Sequence, residues 1–101
     1  MVYITHLISI REGQESIFHQ FEDIAIPPIA RYYGKLLLRI RPDDNGFIEN
    51  SIDQPYEVHL VSFDSQKDYD NFKLDEERKI FHHLKEKSIK ASILIHGSKL
   101  S

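Results

Sequence analysis

Hydrophobic and polar positions alternate at the start of the chain. Val2, Ile4, Ile8 and Ile10 fall on one side of an extended segment, and Tyr3, Thr5, Leu7 and Ser9 on the other. That period of two predicts a first strand over Val2–Ile10 with its even positions toward a core. Arg11-Glu12-Gly13 then makes a turn. Ile17, Phe18, Phe21, Ile24 and Ala25 recur at helical spacing, which predicts a helix from about Gln14. Pro27-Pro28 interrupts it, because proline lacks an N–H and disfavours a helical residue before it. A short second piece, Pro28 to Tyr32, is expected next, closed by Gly34 as a C-terminal cap.

Lys35 to Arg41 alternates again. Leu36, Leu38 and Ile40 are assigned to the core, and Lys35, Leu37, Arg39 and Arg41 to the opposite face. Pro42-Asp43-Asp44-Asn45-Gly46 is turn chemistry opening a long connection to Gln54. Loops of that length are often functional, so Asp43–Gln54 is read as a flap. Pro55 precedes a β-branched and aromatic run, Tyr56 to Phe63, that reads as a third strand. Asp64 and Ser65 end it, with Ser65 as N-cap and Asp68 three residues on. Tyr69 and Phe72 share one face of the helix that follows. Periodicity falters at Lys73-Leu74-Asp75. Asp75 is expected to cap a further helix whose buried stripe is Ile80, Phe81 and Leu84. Ala91 to His96 reads as a fourth strand, ended by Gly97 and a short polar tail.

The order β-α-β-β-α-β, with two right-handed crossovers in one sheet, predicts an α+β ferredoxin-like sandwich. It has a four-stranded antiparallel sheet with helices on one face and the other face bare. Leu7, Leu37, Val61 and Leu94 are expected on that bare face. Complete burial of each would contribute about 1.5–3 kcal/mol, so a homodimer packing sheet on sheet is expected. Length supports one domain spanning residues 1–101. A net charge of −3 argues against a nucleic-acid partner, and no apolar run is long enough to cross a bilayer. With no cysteine there is neither disulfide nor thiol chemistry, and a cytoplasmic address is expected.

Strand parity gathers the candidate chemistry. Tyr3, Thr5, Arg39, Arg41, Glu57 and His59 all fall on the face away from the helices, and His96 is expected to join them. His59 would be the general base, Glu57 would orient it or share the proton, and Arg39 or Arg41 would hold an anionic or enolate oxygen. Tyr3, Thr5, Arg41 and His96 would line the ligand site. Phe63 shares the parity of Glu57 and His59, so an inward Phe63 would carry both to the other face. His6 looks inward as a core histidine. No two histidines stand at i, i+4 on a helix or i, i+2 on a strand, so neither metal nor cofactor is expected. Cross-strand ion pairs at the rim of a dimer face account for the same charges without catalysis.

Several features together resemble the domain-of-unknown-function family 1330, a branch of the dimeric α/β-barrel superfamily. They are Tyr3 in the first strand, Pro28 late in the first helix, Tyr33-Gly34-Lys35-Leu36 leading into Arg39, Phe63-Asp64-Ser65, Phe72 before a helix break, and Gly97. Lys35 departs from the second glycine usual there, and the Pro42–Gln54 connection is individual to this chain. The resemblance implies a ferredoxin-like protomer and a dimer. It implies a superfamily of cofactor-independent monooxygenases, haem-degrading enzymes, and isomerases or dehalogenases of small ring compounds, and it carries over no catalytic residues. Two classes of function follow. One is a binder or cofactor-independent enzyme for an anionic or phenolic small molecule, of monooxygenase or isomerase type. The other is a non-catalytic homodimerisation or ligand-sensing module.

Overall fold

The computed structural model describes residues 1–100; Ser101, the end of the polar tail, lies outside them. Four strands, β1 (Val2–Ile10), β2 (Gly34–Ile40), β3 (Glu57–Phe63) and β4 (Ile89–Gly97), form one antiparallel sheet in the order β2-β3-β1-β4. The helical segments are α1 (Glu15–Ala25), α2 (Pro28–Arg31), α3 (Gln66–Lys73), α4 (Glu77–Ile80) and α5 (His82–Ser88). They follow β1 and β3 and cover one face of the sheet. This is the ferredoxin-like fold, with each crossover helix broken into pieces. Pro27-Pro28 breaks the first, as expected. The second breaks at Asp75, whose Oδ1 accepts from the Glu77 N–H at 2.7 Å, and again at Phe81. Ser65 caps α3, its Oγ accepting from the Asp68 N–H at 3.1 Å.

Two local expectations change. Gly34 does not cap α2. Tyr33 takes the left-handed conformation (φ 60°), and Gly34 opens β2 opposite Phe63. A Cβ at Gly34 would lie 2.6 Å from the Ile29 side chain, 2.7 Å from the Phe63 ring and 2.8 Å from the Ile29 carbonyl, so glycine is needed there for close packing. Ile80, assigned to a buried stripe, is exposed; Phe81 and Leu84 are half-buried. A helix of four residues is too short to keep one face inward across the break.

The core between sheet and helices is Ile4, Ile29, Val61, Phe63, Tyr69 and Phe72, with Ile8 and Phe18 also buried. Phe63 is therefore inward, and Val61 with it, against the expectation for Val61. A bulge at Leu37 decides the rest. Leu36 pairs with Val61 but Leu38 pairs with Leu60, so one extra residue reverses the pleat of β2. Leu38 and Ile40 consequently lie on the bare face beside Leu60 and Val58, not in the core. On β4, Ile93 and Ile95 pair with Leu7 and Thr5 on that bare face, whereas Leu94 pairs with His6 on the helix side. The expected apolar outer face exists, but Leu38, Ile40, Val58, Leu60, Ile93 and Ile95 build it with Leu7. Among the described residues, no helix is long and apolar enough to cross a membrane.

Candidate functional site

The register of β1 against β3 sets Ile8 opposite Glu57, His6 opposite His59 and Ile4 opposite Val61. Glu57 and His59 thus stand on the core row of the sheet and look at α1. The bulge turns Arg39 the same way, opposite His59. Helix α1 completes the group: Glu22 lies one turn beyond Phe18 on its buried side. Arg39 donates to Glu57 at 3.0 Å through Nε and to Glu22 at 2.8 Å through Nη2. Arg41 donates to the other Glu57 oxygen at 2.6 Å and rests 4.8 Å from the centre of the Tyr56 ring. His59 Nε2 donates to Glu57 Oε1 at 2.7 Å and lies 3.2 Å from Glu22 Oε2.

Both carboxylates are almost wholly buried, Glu57 1 % and Glu22 2 % exposed. Burial opposes the charge of Glu57, yet its bonds to Glu22, Arg41, His59 and Arg39 hold it well below the usual carboxylate range. Burial and the neighbouring Glu57 push the Glu22 carboxyl up, against the pull of His59 and Arg39. For His59, burial works against protonation, but the bonds to Glu22 and Glu57 outweigh it and raise its pKa. The Nε2 position carries a single hydrogen, which goes to Glu57, and Glu22 Oε2 is left buried without a hydrogen-bond partner. Glu22 and His59 therefore stand side by side next to a fixed carboxylate, both with raised pKa values.

The cluster forms part of the wall of a cavity of about 300 Å³ between helices and sheet. His6, His59, Glu22, Lys73, Arg78 and Lys85 supply its polar groups, and Phe18, Phe21, Phe63, Tyr69 and Phe72 its aromatic ones. No residue of the Asp43–Gln54 connection lines it. That loop instead contains a 3-10 turn, Asp44–Gly46, and is tied down through Asp53 to Ser9 and Lys90, so the expected flap does not reach the cavity.

His6 is a sensor of this environment. Burial, His59, Lys85 and Arg78 lower its pKa from 6.5 to about 4. Between those values the unfolded chain binds more protons than the folded one, so this contribution is complete above pH 6.5 and lost as pH falls toward 4. Its size is about 2–3 kcal/mol, discounted for partial exposure. His59 acts in the other direction: its contribution is complete below pH 6.5 and lost as pH rises through its raised folded value. Denaturant unfolding at pH 7 and pH 4 should show wild type losing more stability on acidification than His6→Gln, by that amount. Equal acid losses would mean that His6 is hydrated.

The residues singled out from sequence divide into three places. His59, Glu57, Arg39 and Arg41 do meet, but on the helix side of the sheet, not on the bare face. The inward Phe63 row and the Leu37 bulge account for the inversion. Tyr3 and Thr5 remain on the bare face, opposite Ser62 and Leu60, and cannot share a site with His59. His96 is on the helix side near α3, where Nε2 donates to Gln66 at 2.7 Å and the ring stacks 6.0 Å from Tyr69. Arg39 and Arg41 are engaged by the buried carboxylates and do not reach out to hold a ligand oxygen. Glu22 was absent from the sequence-based set, although a carboxylate one turn after Phe18 on an apolar helix face is a readable signal.

His19, Glu22 and Glu57 bring one ligating atom each within 4.8 Å of one another. The fit to a divalent cation is poor, because Arg39 and Arg41 already neutralise both carboxylates and would repel it. His19 is itself hydrogen-bonded to the Tyr56 hydroxyl at 2.9 Å.

No family model matches the chain, and no curated protein matches it. Solved structures do. A protein of unknown function from Rhodopseudomonas palustris superposes with a TM-score of 0.84 at 13% identity, over 99% of this chain and 82% of that one. A protein from Bacteroides fragilis described as dimeric, of unknown function and of ferredoxin-like fold, gives 0.70 at 10% identity, over 97% and 95%. A candidate antibiotic biosynthesis monooxygenase from Nitrosomonas europaea gives 0.69 at 16% identity, over the whole of both chains. Identities this low establish the fold and nothing finer.

Proposed function

We propose that this chain binds a small phenolic or enolic molecule in the cavity between helices and sheet, and exchanges a proton with it through His59 and Glu22 without a metal. One observation carries the reading: a cavity walled by aromatic rings meets a buried histidine and a buried carboxyl whose Nε2 and Oε2 atoms lie 3.2 Å apart. Glu57 is the orienting group. Two arginines keep it ionised, and its Oε1 holds the His59 N–H. A ligand hydroxyl reaching His59 or Glu22 would find a partner able to give or take a proton. This is the chemistry of a cofactor-independent isomerase or oxygenase, and the candidate monooxygenase of the same fold is consistent with it.

The assembly we propose is a homodimer through the bare face, where Leu7, Leu38, Leu60, Ile93 and Ile95 would leave water together. A neighbour of this fold described as dimeric supports dimerisation, and the sequence features that resemble the domain-of-unknown-function family 1330 agree with it. A non-catalytic ligand-sensing or dimerisation module is the second reading. It is favoured by the saturation of Glu57, whose two oxygens already serve two arginines and a histidine.

Titration calorimetry with 4-ethylphenol tests the site. Saturable binding to wild type, weakened at least tenfold in His59→Ala, is expected. Unchanged binding in the variant would remove His59 from the site and leave the module. Native mass spectrometry of the same sample should give twice the 11.9 kDa protomer mass; a monomer at micromolar concentration would overturn the dimer.

A further inference from the structure

We propose that the ligand is an apolar carboxylate, with its body in the cavity and its carboxylate held by Arg78 at the mouth. This rests on the ligand-cavity reading above and adds a chemical class and an anchoring residue.

The cavity adjoins a wider basin of about 510 Å³ between α1 and the α3–α5 segments, and both include Lys73, Arg78 and Lys85 in their walls. The basin adds Lys79 and His82, while Asp75 is its one carboxylate among the described residues. Basic groups thus ring the passage from solvent to a largely apolar interior, in a chain whose net charge is −3. Concave sites lined by one sign of charge concentrate ligands of the other sign.

Arg78 differs from the arginines that are paired with carboxylates. Arg31, Arg39 and Arg41 each end on a carboxylate at 3.0 Å or less. Among the described residues, no carboxylate lies within 4 Å of the Arg78 guanidinium, which sits 4.4 Å over the Phe72 ring and reaches only the Phe72 carbonyl, at 3.5 Å. Asp75 acts on it only from beyond contact distance, and a half-buried cation with no carboxylate in contact is costly. A planar fork of donors held flat on an aromatic ring is also well shaped to receive a carboxylate. The field of these cations extends inward, because Lys85 and Arg78 both disfavour the charged form of His6.

Cavity size limits the body of the ligand. At about 30 Å³ per water-sized group, 300 Å³ holds roughly ten non-hydrogen atoms. An aromatic ring with a two- or three-carbon arm fits. Its far end would meet His59 and Glu22, and its carboxylate would emerge at Arg78.

The test compares 3-(4-hydroxyphenyl)propionate with 4-ethylphenol, the same ring without the carboxylate, by calorimetry at low ionic strength. The propionate is expected to bind wild type at least tenfold more tightly. Arg78→Gln should weaken the propionate about tenfold and leave 4-ethylphenol unchanged, and Arg78→Lys should recover part of the loss. Circular dichroism of each variant secures that its fold is intact. Equal affinities of the two probes, or no effect of Arg78→Gln, would overturn the anchor while the cavity reading stands. Binding of neither probe would overturn both.

Discussion

Replacing Glu57 by alanine is expected to destabilise the fold by about 3 kcal/mol, the lower end of what breaking a buried ion pair costs. For a chain of this size that is a fall in Tm of about 12 °C or more. The lower end applies because the partners differ in freedom. The Arg39 and Arg41 side chains are 41% and 49% exposed, so both guanidiniums can turn to water once their carboxylate is gone. His59 and Glu22 cannot. His59 loses its 2.7 Å acceptor and Glu22 loses its anionic neighbour, leaving a simple histidine–carboxylate pair with Arg39. The Glu22 pKa should then fall, since the like charge that helped push it up has been removed. Urea unfolding at pH 7 measures the loss, and carbon-detected NMR of the Glu22 carboxyl measures the titration. A loss below about 1 kcal/mol, with Glu22 unmoved, would mean that water already penetrates the cluster.

Phe63→Ala is expected to cost about 3–5 kcal/mol, the range for deleting a buried phenylalanine ring. Phe63 is 2 % exposed, with Tyr69 at 5.3 Å and Phe72 at 5.2 Å between ring centres. Its ring occupies the space that a Cβ on Gly34 would need, at 2.7 Å. Phe63 also lines the cavity between helices and sheet, so the new void would join one already present and the surrounding side chains would have little to close against. The proximity to Gly34 gives an internal check. Gly34→Ala alone should destabilise by about 1–3 kcal/mol through overpacking, and by less in the Phe63→Ala background. The relief would be partial, because Ile29 crowds the same position at 2.6 Å. Denaturant unfolding of the four proteins closes the cycle. Strict additivity would show that ring and glycine do not share that space.

The dependence of the site on Phe63 also shows why it was half legible. Alternation along Tyr56–Phe63 brings Glu57 and His59 to one face whichever way the strand turns, and Arg39 and Arg41 share a parity on β2 in the same way. Local sequence therefore grouped the four residues correctly. It could not orient the group, because a row holding Glu57, His59, Val61 and Phe63 is half ionisable and half apolar. Burial of Phe63 against Tyr69 and Phe72 outweighs the cost of taking Glu57 and His59 inside, and only because Arg39, Arg41 and Glu22 come from elsewhere to pair with them.

The sequence by itself determined the order of elements, the break at Pro27-Pro28, the Ser65 cap and the four-stranded fold. Each follows from short-range periodicity, proline geometry or a capping hydrogen bond, which neighbours along the chain decide. Tertiary structure alone decided that Leu37 bulges and Arg39 turns inward, that Glu22 completes the buried cluster, and that Tyr3 and Thr5 stay outside it. It also decided that Tyr33, not Gly34, takes the left-handed turn, since Gly34 has to lie against Ile29 and Phe63. The physical reason is common to all of these. Which face of a strand is buried, and which charge finds a partner, depends on free energies summed over residues far apart in sequence, and a single inserted residue in one strand reverses the answer for every side chain beyond it.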